Sequence, residues 1–421
     1  MTILAEAAAI AGDITALRHA IHREPEIGFY LPRTRDKVLA ALNRLPLEIS
    51  LGKRLSSVTA VLRGGRPGPV VLLRADMDAL PVTEATGLPF SSAIAGAMHA
   101  CGHDLHTAML AGAARLLSAR RRALPGSVIF MFQPAEEVAG GAELMIEEGV
   151  LDAAGERPAA AYGLHVLSHL FEHGVFAARP GPALAAADVL RVRVRGRGGH
   201  ASSPQHSADP IPAACEMVTA LQTMVTRRFD VFDPVVVTVG SFHAGTVSNV
   251  IPDEAVFEAT TRSFSVASRN LLRDETLRLV RNVAQAHGVT AEAEYVEGFP
   301  VTVADPAEAA FATATAANLF GASRALTPAQ PLTGAEDFSY VLDQVPGAFV
   351  LLGACPPGTD PRTAPSNHSA AALFDDAVLA DGAALYAELA LRRLGGSGRR
   401  SAGRPGGVAL AGSQPSLKSS A

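Results

Sequence analysis

The chain has 421 residues, 48% hydrophobic and 18% charged, with a formal net charge of -5, which describes a globular chain of two domains and leaves no basic footprint for nucleic acid. Three well-separated cysteines, Cys101, Cys215 and Cys355, make no disulfide framework and point to a reducing cytoplasm. The opening residues carry no Lys or Arg before Arg18, unlike a secretory signal, and no apolar run reaches the length that crosses a membrane.

Ile3, Ala7, Ile10, Ile14, Leu17 and Ile21 recur at three- and four-residue steps, which predicts one helix with a core-facing stripe, ending near Glu24-Pro25. Pro32 fits the first turn of a second helix, with Val38, Leu39 and Leu42 inward, and GGRPGP at 64–69 turns between the strand-like runs VTAVL and PVVLLRAD. The latter is uninterrupted and apolar, as expected of a parallel strand covered on both faces, and delivers Asp76 and Asp78 to its end. A carboxylate there can orient a metal-binding imidazole, or simply cap the next turn.

MHACGHDLHT at 98–107 places three histidines, a cysteine and an aspartate within ten residues. Cys101 and His103, two apart in an extended or turning loop, can reach one divalent ion with thiolate and imidazole together. The alternative is a buried thiol beside capping histidines. Two residues do not complete a catalytic metal site, and other loops offer Glu136, Glu137, His165 and His368, each after a strand-like run: SVIFMFQ, AAAYGL and, further upstream, AFVLLG. In open α/β sheets, sites form beyond the carboxyl ends of the strands. Of the two glutamates, one can ligate while its neighbour acts as general base.

A helix is expected from Ala108 to Leu117. From Asp188 the period changes: LRVRVR alternates, Asp209 to Val225 reads as a helix, VVVTVGSF and AVFEATTRSF as strands, Ser268 to Ala286 as a helix and TAEAEYVE as a strand. This β-α-β-β-α-β order predicts a small domain at 185–298 with one open sheet face, inserted into a larger domain made of 1–184 and 299–395. Asp376 to Leu394 reads as the closing helix, and the Gly-, Ser- and Pro-rich stretch at 396–421 as a disordered tail.

Taken together, RHAIHREPEIGF, LLRADMDALPV, MHACGHDLHTAMLAGAA, FQPAEEVAGGAELMIEEGVL, GLHV, RGGHASSP, DPI, VSNVIPDEAVFEATTRSF, GAEDFSYV and NHSA resemble the metal-dependent amidohydrolases and carboxypeptidases of the aminoacylase superfamily, within the subgroup of hippurate hydrolases and indoleacetyl-amino-acid hydrolases. The resemblance implies an α/β fold, with a large zinc-peptidase-like catalytic domain whose central mixed sheet is flanked by helices, and an inserted ferredoxin-like (βαββαβ) lid and dimerisation domain. It implies two divalent ions per subunit (Mn, Zn, Co or Ni), with Cys101, His103, Glu137, His165 and His368 as ligands, Glu136 as general base and Asp78 as the acid orienting the site. It also implies that His200 reaches the active site of another subunit and that Asn249 and Arg262 bind the substrate's carbonyl or carboxylate. Gln205 before His206 departs from the Pro-His of many relatives and affects only that loop.

The expected activity is therefore hydrolysis of a linear amide bond in an N-acyl amino acid or similar small conjugate, by a cytoplasmic homodimer or higher homo-oligomer with no nucleic-acid or membrane partner. The rivals are an aminopeptidase or dipeptidase acting on small peptides, and a noncatalytic relative that keeps metal and cleft.

Overall fold

The computed structural model describes residues 1–138 and 140–396; the expected tail lies, from 397 on, outside them. Its main sheet has eight strands in the spatial order Leu47–Leu51, Val58–Arg63, Pro125–Gln133, Arg66–Asp76, Ala160–Leu167, Gly347–Gly353, Phe176–Ala178 and Ala325–Leu326. The four strands from Pro125–Gln133 to Gly347–Gly353 run parallel, and antiparallel pairings border them on both sides. Their carboxyl ends therefore point to one edge.

Period-two alternation explains why the apolar runs are unbroken. On Arg66–Asp76, Val71, Leu73 and Ala75 join the core beneath the helices His103–Ala119 and Val378–Gly395, while Val70 and Leu72 join a second core with Phe338, Val341 and Phe349. A strand buried on both faces has no position left for a polar side chain. Arg74, fully buried on the same strand, breaks that rule and is accounted for below.

The amino-terminal stripe is buried as expected at Ile3, Ala7, Ile10, Ile14 and Ile21, but it belongs to two helices, Ile3–Ala9 and Ala11–Arg23. The break falls at Ile10, two residues before Gly12, where glycine's backbone freedom weakens a continuous helix. The second helix also carries charge into the core. Arg18 Nε donates to Asp104 Oδ2 at 2.8 Å, while His22 bridges Asp104 at 2.9 Å and Glu84 at 3.2 Å. Burial pulls the imidazolium pKa down, but the Asp104 charge and the hydrogen bonds to Asp104 and Glu84 outweigh it and hold His22 up at about 9.

A raised folded-state pKa contributes stability that is complete below the unfolded value of 6.5 and is lost as pH rises through about 9. Chelator-treated wild type should thus exceed His22→Gln by up to about 3 kcal/mol near pH 6, a gap that closes toward pH 9. Denaturant melts of both proteins across that range check this; a gap that widens with pH refutes it.

The smaller sheet is wholly antiparallel, in the order Val235–Ala244, Glu254–Ser263, Ala186–Arg195, Thr290–Phe299. Leu190, Val192 and Val194 face the helices Pro210–Arg228 and Val266–Ala286, and a separate core is drawn entirely from this part of the chain. Arg191, Arg193 and Arg195 alternate outward and pair with Glu258, Glu294, Glu254 and Glu292 on the flanking strands. Asp209 caps the first helix by accepting from Ile211 N at 2.9 Å, and Ser265 caps the second by accepting from Ser268 N at 3.0 Å. The fold is thus α/β with a mixed central sheet and a βαββαβ lid.

Candidate metal centre

Cys101 and His103 do not share an extended loop. The helix expected from Ala108 begins at His103, and Gly102 turns the chain into it with φ 82. A Cβ on Gly102 would meet Val166 Cγ2 at 2.3 Å, so only glycine lets this turn pack against the neighbouring strand. Cys101 ends the loop and His103 opens the helix, both buried.

The glutamates leave the strand Pro125–Gln133 through Ala135, whose φ of 62 is left-handed. Asp78 holds that turn: Oδ1 accepts from Glu136 N at 3.0 Å and Oδ2 from Glu137 N at 3.1 Å. Non-glycine residues keep such a conformation only where the surroundings over-determine it, and Asp78 does this while aiming the two side chains.

Five sequence-expected residues come together. Cys101, His103 and His165 present ligand atoms within 4.8 Å of one another, and so do Cys101, Glu137 and His368. The sulfur is common to both groups. Cys101 Sγ lies 3.4 Å from His165 Nε2, and Glu137 Oε1 lies 3.4 Å from His368 Nε2 and 3.8 Å from His103 Nε2. Among the described residues both ring nitrogens of His103 and Glu137 Oε1 are buried without a hydrogen-bond partner, which is rare for such atoms and fits groups that would bind a cation. Burial and the Glu137 carboxylate push the Cys101 thiol up to about 12.

Asp76, His103 and His106 also cluster, but His106 is already committed. Its Nε2 accepts from Val166 N at 2.7 Å, so Nδ1 bears the proton and donates to Asp76 Oδ1 at 2.5 Å. Glu136, Glu336 and Asp337 form a further carboxylate group. Arg74 reaches Asp76 at 2.5 Å and both Glu336 and Asp337 at 2.8 Å, and Gln133 Nε2 donates to the two Asp337 oxygens at 2.8 and 2.7 Å. Around the Arg74 guanidinium stand the acids Asp76, Asp78, Glu136, Glu137, Glu336 and Asp337, more than one guanidinium can pair with; burial and mutual repulsion push Glu136, Glu336 and Asp337 toward their protonated forms, and divalent cations would favour the ionised ones. Burial first, then the charges of Glu336, Glu137 and Asp337, raise Glu136 well above the usual carboxylate range.

Beside this cluster lies a cavity of about 410 Å³, lined by Cys101, Glu136, Glu137, His165 and His368 and by an apolar wall that includes Leu167, Leu184, Leu332 and Phe349. A larger hollow of about 640 Å³ lies over the open face of the lid sheet, where the charges are already paired and none of these residues is present. Arg262 reaches the cavity from the lid; its Nη1 donates to Thr261 O at 3.3 Å, and among the described residues no carboxylate lies within ion-pair distance. His200 and Asn249 are not part of this cavity in their own chain. Both are exposed, where the short strand Gly199–His200 pairs with Val250–Ile251.

Residues 72–392 match the pattern of peptidase family M20/M25/M40. The chain belongs to this family. It is 37% identical to the IAA-amino acid hydrolase ILR1-like 4 of Arabidopsis thaliana, over 90% of this chain and 86% of that one. It is 33% identical to the hippurate hydrolase of Campylobacter jejuni, over 94% of this chain and 100% of that one. Among solved structures it is similar to Bacillus subtilis YXEP, described as a dinuclear metal binding peptidase from the M20 family, with a TM-score of 0.78 and 33% identity over 92% of this chain and 99% of that one.

Like its relatives, this M20 chain is a hydrolase acting on amide bonds, and its Cys, His and Glu groups, which run from buried Cys101 and His103 through half-buried His165 and Glu137 to exposed His368, suit dinuclear metal binding. Several residues of this M20 site carry no role in the sequence reading. Glu336 and Asp337 stand inside GAEDFSYV, where adjacent acids opening an apolar turn were a usable signal. Arg74 could have been singled out as the cation within the apolar run PVVLLRAD. Asn367, on the cavity wall with His169, opens the NHSA motif but carries no role there, and His169 has no pattern that distinguishes it in sequence.

Proposed function

We propose that this M20 hydrolase cleaves the amide bond of N-acyl amino acids or related small conjugates, with Cys101, His103, Glu137, His165 and His368 holding two divalent ions, of Mn, Zn, Co or Ni, because a mixed S, N and O donor set accepts any of them. The observation that carries this reading is the Cys101 sulfur shared by two ligand groups beside Glu136, in the wall of a largely apolar cavity. Bound there, the ions would supply Lewis acidity toward water and the scissile carbonyl. Glu136 accepts the attacking water's proton on a carboxylate oxygen and returns it to the leaving amine. Asp78 keeps Glu136 in place through its backbone N–H. Arg262, without a carboxylate partner among the described residues, meets the substrate's carboxylate, and the apolar wall meets its acyl group.

An aminopeptidase would need a free acid for the substrate's ammonium. Among the described residues lining the cavity, the remaining acid is Glu336, and its Oε1 is engaged by Arg74 and by Phe338 N at 3.0 Å. A panel of N-acetyl, N-benzoyl and indoleacetyl amino acids beside free-amine dipeptides, tested on metal-loaded protein, decides between the readings. Release of free amino acid from at least one N-acyl substrate is expected; turnover of the dipeptides alone overturns the proposal.

Residues 185–298 act in this reading as a lid and dimerisation domain, with 1–184 and 299–395 as the catalytic domain of a cytoplasmic dimer. Exposed His200 and Asn249 then complete the site of the other subunit, His200 as a donor to the oxyanion and Asn249 to the substrate. Two inactive variants, Glu136→Gln and His200→Ala, should regain part of the activity on mixing, because a mixed dimer pairs an intact base with an intact histidine. A mixture that stays inactive despite demonstrated subunit exchange, or a monomer in solution, removes the cross-subunit role.

A further inference from the structure

We infer that Asn367 is a positioning residue of the metal centre, its carboxamide drawing Cys101, the carbonyl that orients His165, and the turn bearing His368 into one ligand set. This rests on the ligand assignment proposed above. The amide's orientation follows from its neighbours. Oδ1 accepts from Ser168 N at 2.9 Å and from Ser168 Oγ at 3.0 Å, while Nδ2 donates to Val166 O at 3.0 Å and to Cys101 O at 3.3 Å, with Cys101 Sγ at 3.7 Å. Turned over, the amide would set its oxygen against two carbonyls and its NH₂ against a backbone N–H.

Each contact acts on a different ligand. Val166 O also accepts from His165 Nδ1 at 2.8 Å, which places the ring proton on Nδ1 and leaves the Nε2 lone pair facing Cys101 Sγ. Anchoring that carbonyl therefore anchors the imidazole. Nδ2 also stands 3.7 Å from Cys101 Sγ itself, so the amide fixes the sulfur's surroundings as well as the residue's carbonyl. His368 follows Asn367 directly and has a left-handed φ of 70, with its N–H bonded to Ala100 O at 2.9 Å. The Asn367 bond to Cys101 O and the His368 bond to Ala100 O are two successive ties between the same loops, the over-determination that a left-handed histidine requires.

The test uses the full chain with Co²⁺ as the probe, reading affinity by competition with a chromophoric chelator, the thiolate-to-Co²⁺ charge-transfer band, and Tm as a control for folding. Asn367→Leu should weaken at least one ion by about tenfold to a hundredfold and shift the band. Asn367→Asp should be weaker still, since it sets an anionic oxygen against two carbonyls and the thiolate. The losses from Asn367→Leu and Cys101→Ala should be non-additive when combined. Wild-type affinity with an unshifted band in Asn367→Leu, or full additivity with Cys101→Ala, overturns the inference. Should Asn367→Leu not fold, Asn367→Gln, which keeps the amide but displaces it by one methylene, must shift the band or the inference fails. If Cys101→Ala itself leaves Co²⁺ affinity unchanged, the ligand assignment is at fault; if only Asn367→Leu is silent, the assignment stands and this inference alone falls.

Discussion

Glu136→Gln is expected to lower kcat by about a hundredfold to ten-thousandfold, the usual worth of a placed proton carrier, and to leave both proposed ions bound. The substitution is nearly isosteric and leaves the backbone N–H of residue 136 on Asp78, so the turn keeps its shape. Neither group that shares the Cys101 sulfur includes Glu136, although Glu136 does cluster with His103 and Glu137, so metal content is the reading that separates a base from a ligand. What disappears is a carboxylate that burial and the Glu336, Glu137 and Asp337 charges have made unusually ready to keep a proton. Steady-state kinetics on a turned-over N-acyl substrate, with elemental analysis of the same preparation, checks both halves. Loss of metal in Glu136→Gln with retention in Glu137→Gln would show the two roles to be exchanged.

Cys101→Ala acts on the other half of the site. Its sulfur belongs to both ligand groups, so its removal should weaken both ions together, by more than the tenfold to hundredfold typical of losing a partner that only supports a ligand. Metal-loaded wild type should hold close to two ions per chain, and the variant clearly fewer at the same free metal concentration. Because burial and Glu137 keep the thiol protonated up to about 12 in the metal-free protein, metal uptake must displace a proton from Cys101, and Cys101→Ala should release fewer protons on loading. Chelator competition and proton release in weakly buffered solution measure this. Unchanged stoichiometry and affinity in the variant would remove Cys101 from the ligand set.

Much of this architecture is written in local periodicities. The unbroken runs PVVLLRAD and SVIFMFQ became parallel strands covered on both faces, and the alternation in LRVRVR became a half-exposed antiparallel strand, because the two faces of a strand separate every second residue. Glu136 and Glu137 could likewise be placed just past a strand end, but His165 lies within the strand Ala160–Leu167, His103 opens a helix and His368 occupies a turn well beyond Gly347–Gly353. Helix limits were less legible. The stripe from Ile3 to Ile21 continues through Ile10 although the helix does not, and the helix that starts at His103 depends on Gly102 fitting beneath Val166, a neighbour 64 positions away.

The division of labour among like residues was decided only by the folded chain. Asp76 and Asp78 leave the same strand end, yet one holds His106 and the other the glutamate turn. Arg74 meets Asp337 across 263 positions, and Asn367 meets Cys101 across 266. Such pairings depend on the order in which strands assemble and on which carbonyls and amides the loops leave without partners. Sequence by itself determined the elements and the donor atoms available; strand order and the need of every buried polar group for a partner decided which donors share a site and which hold it in place.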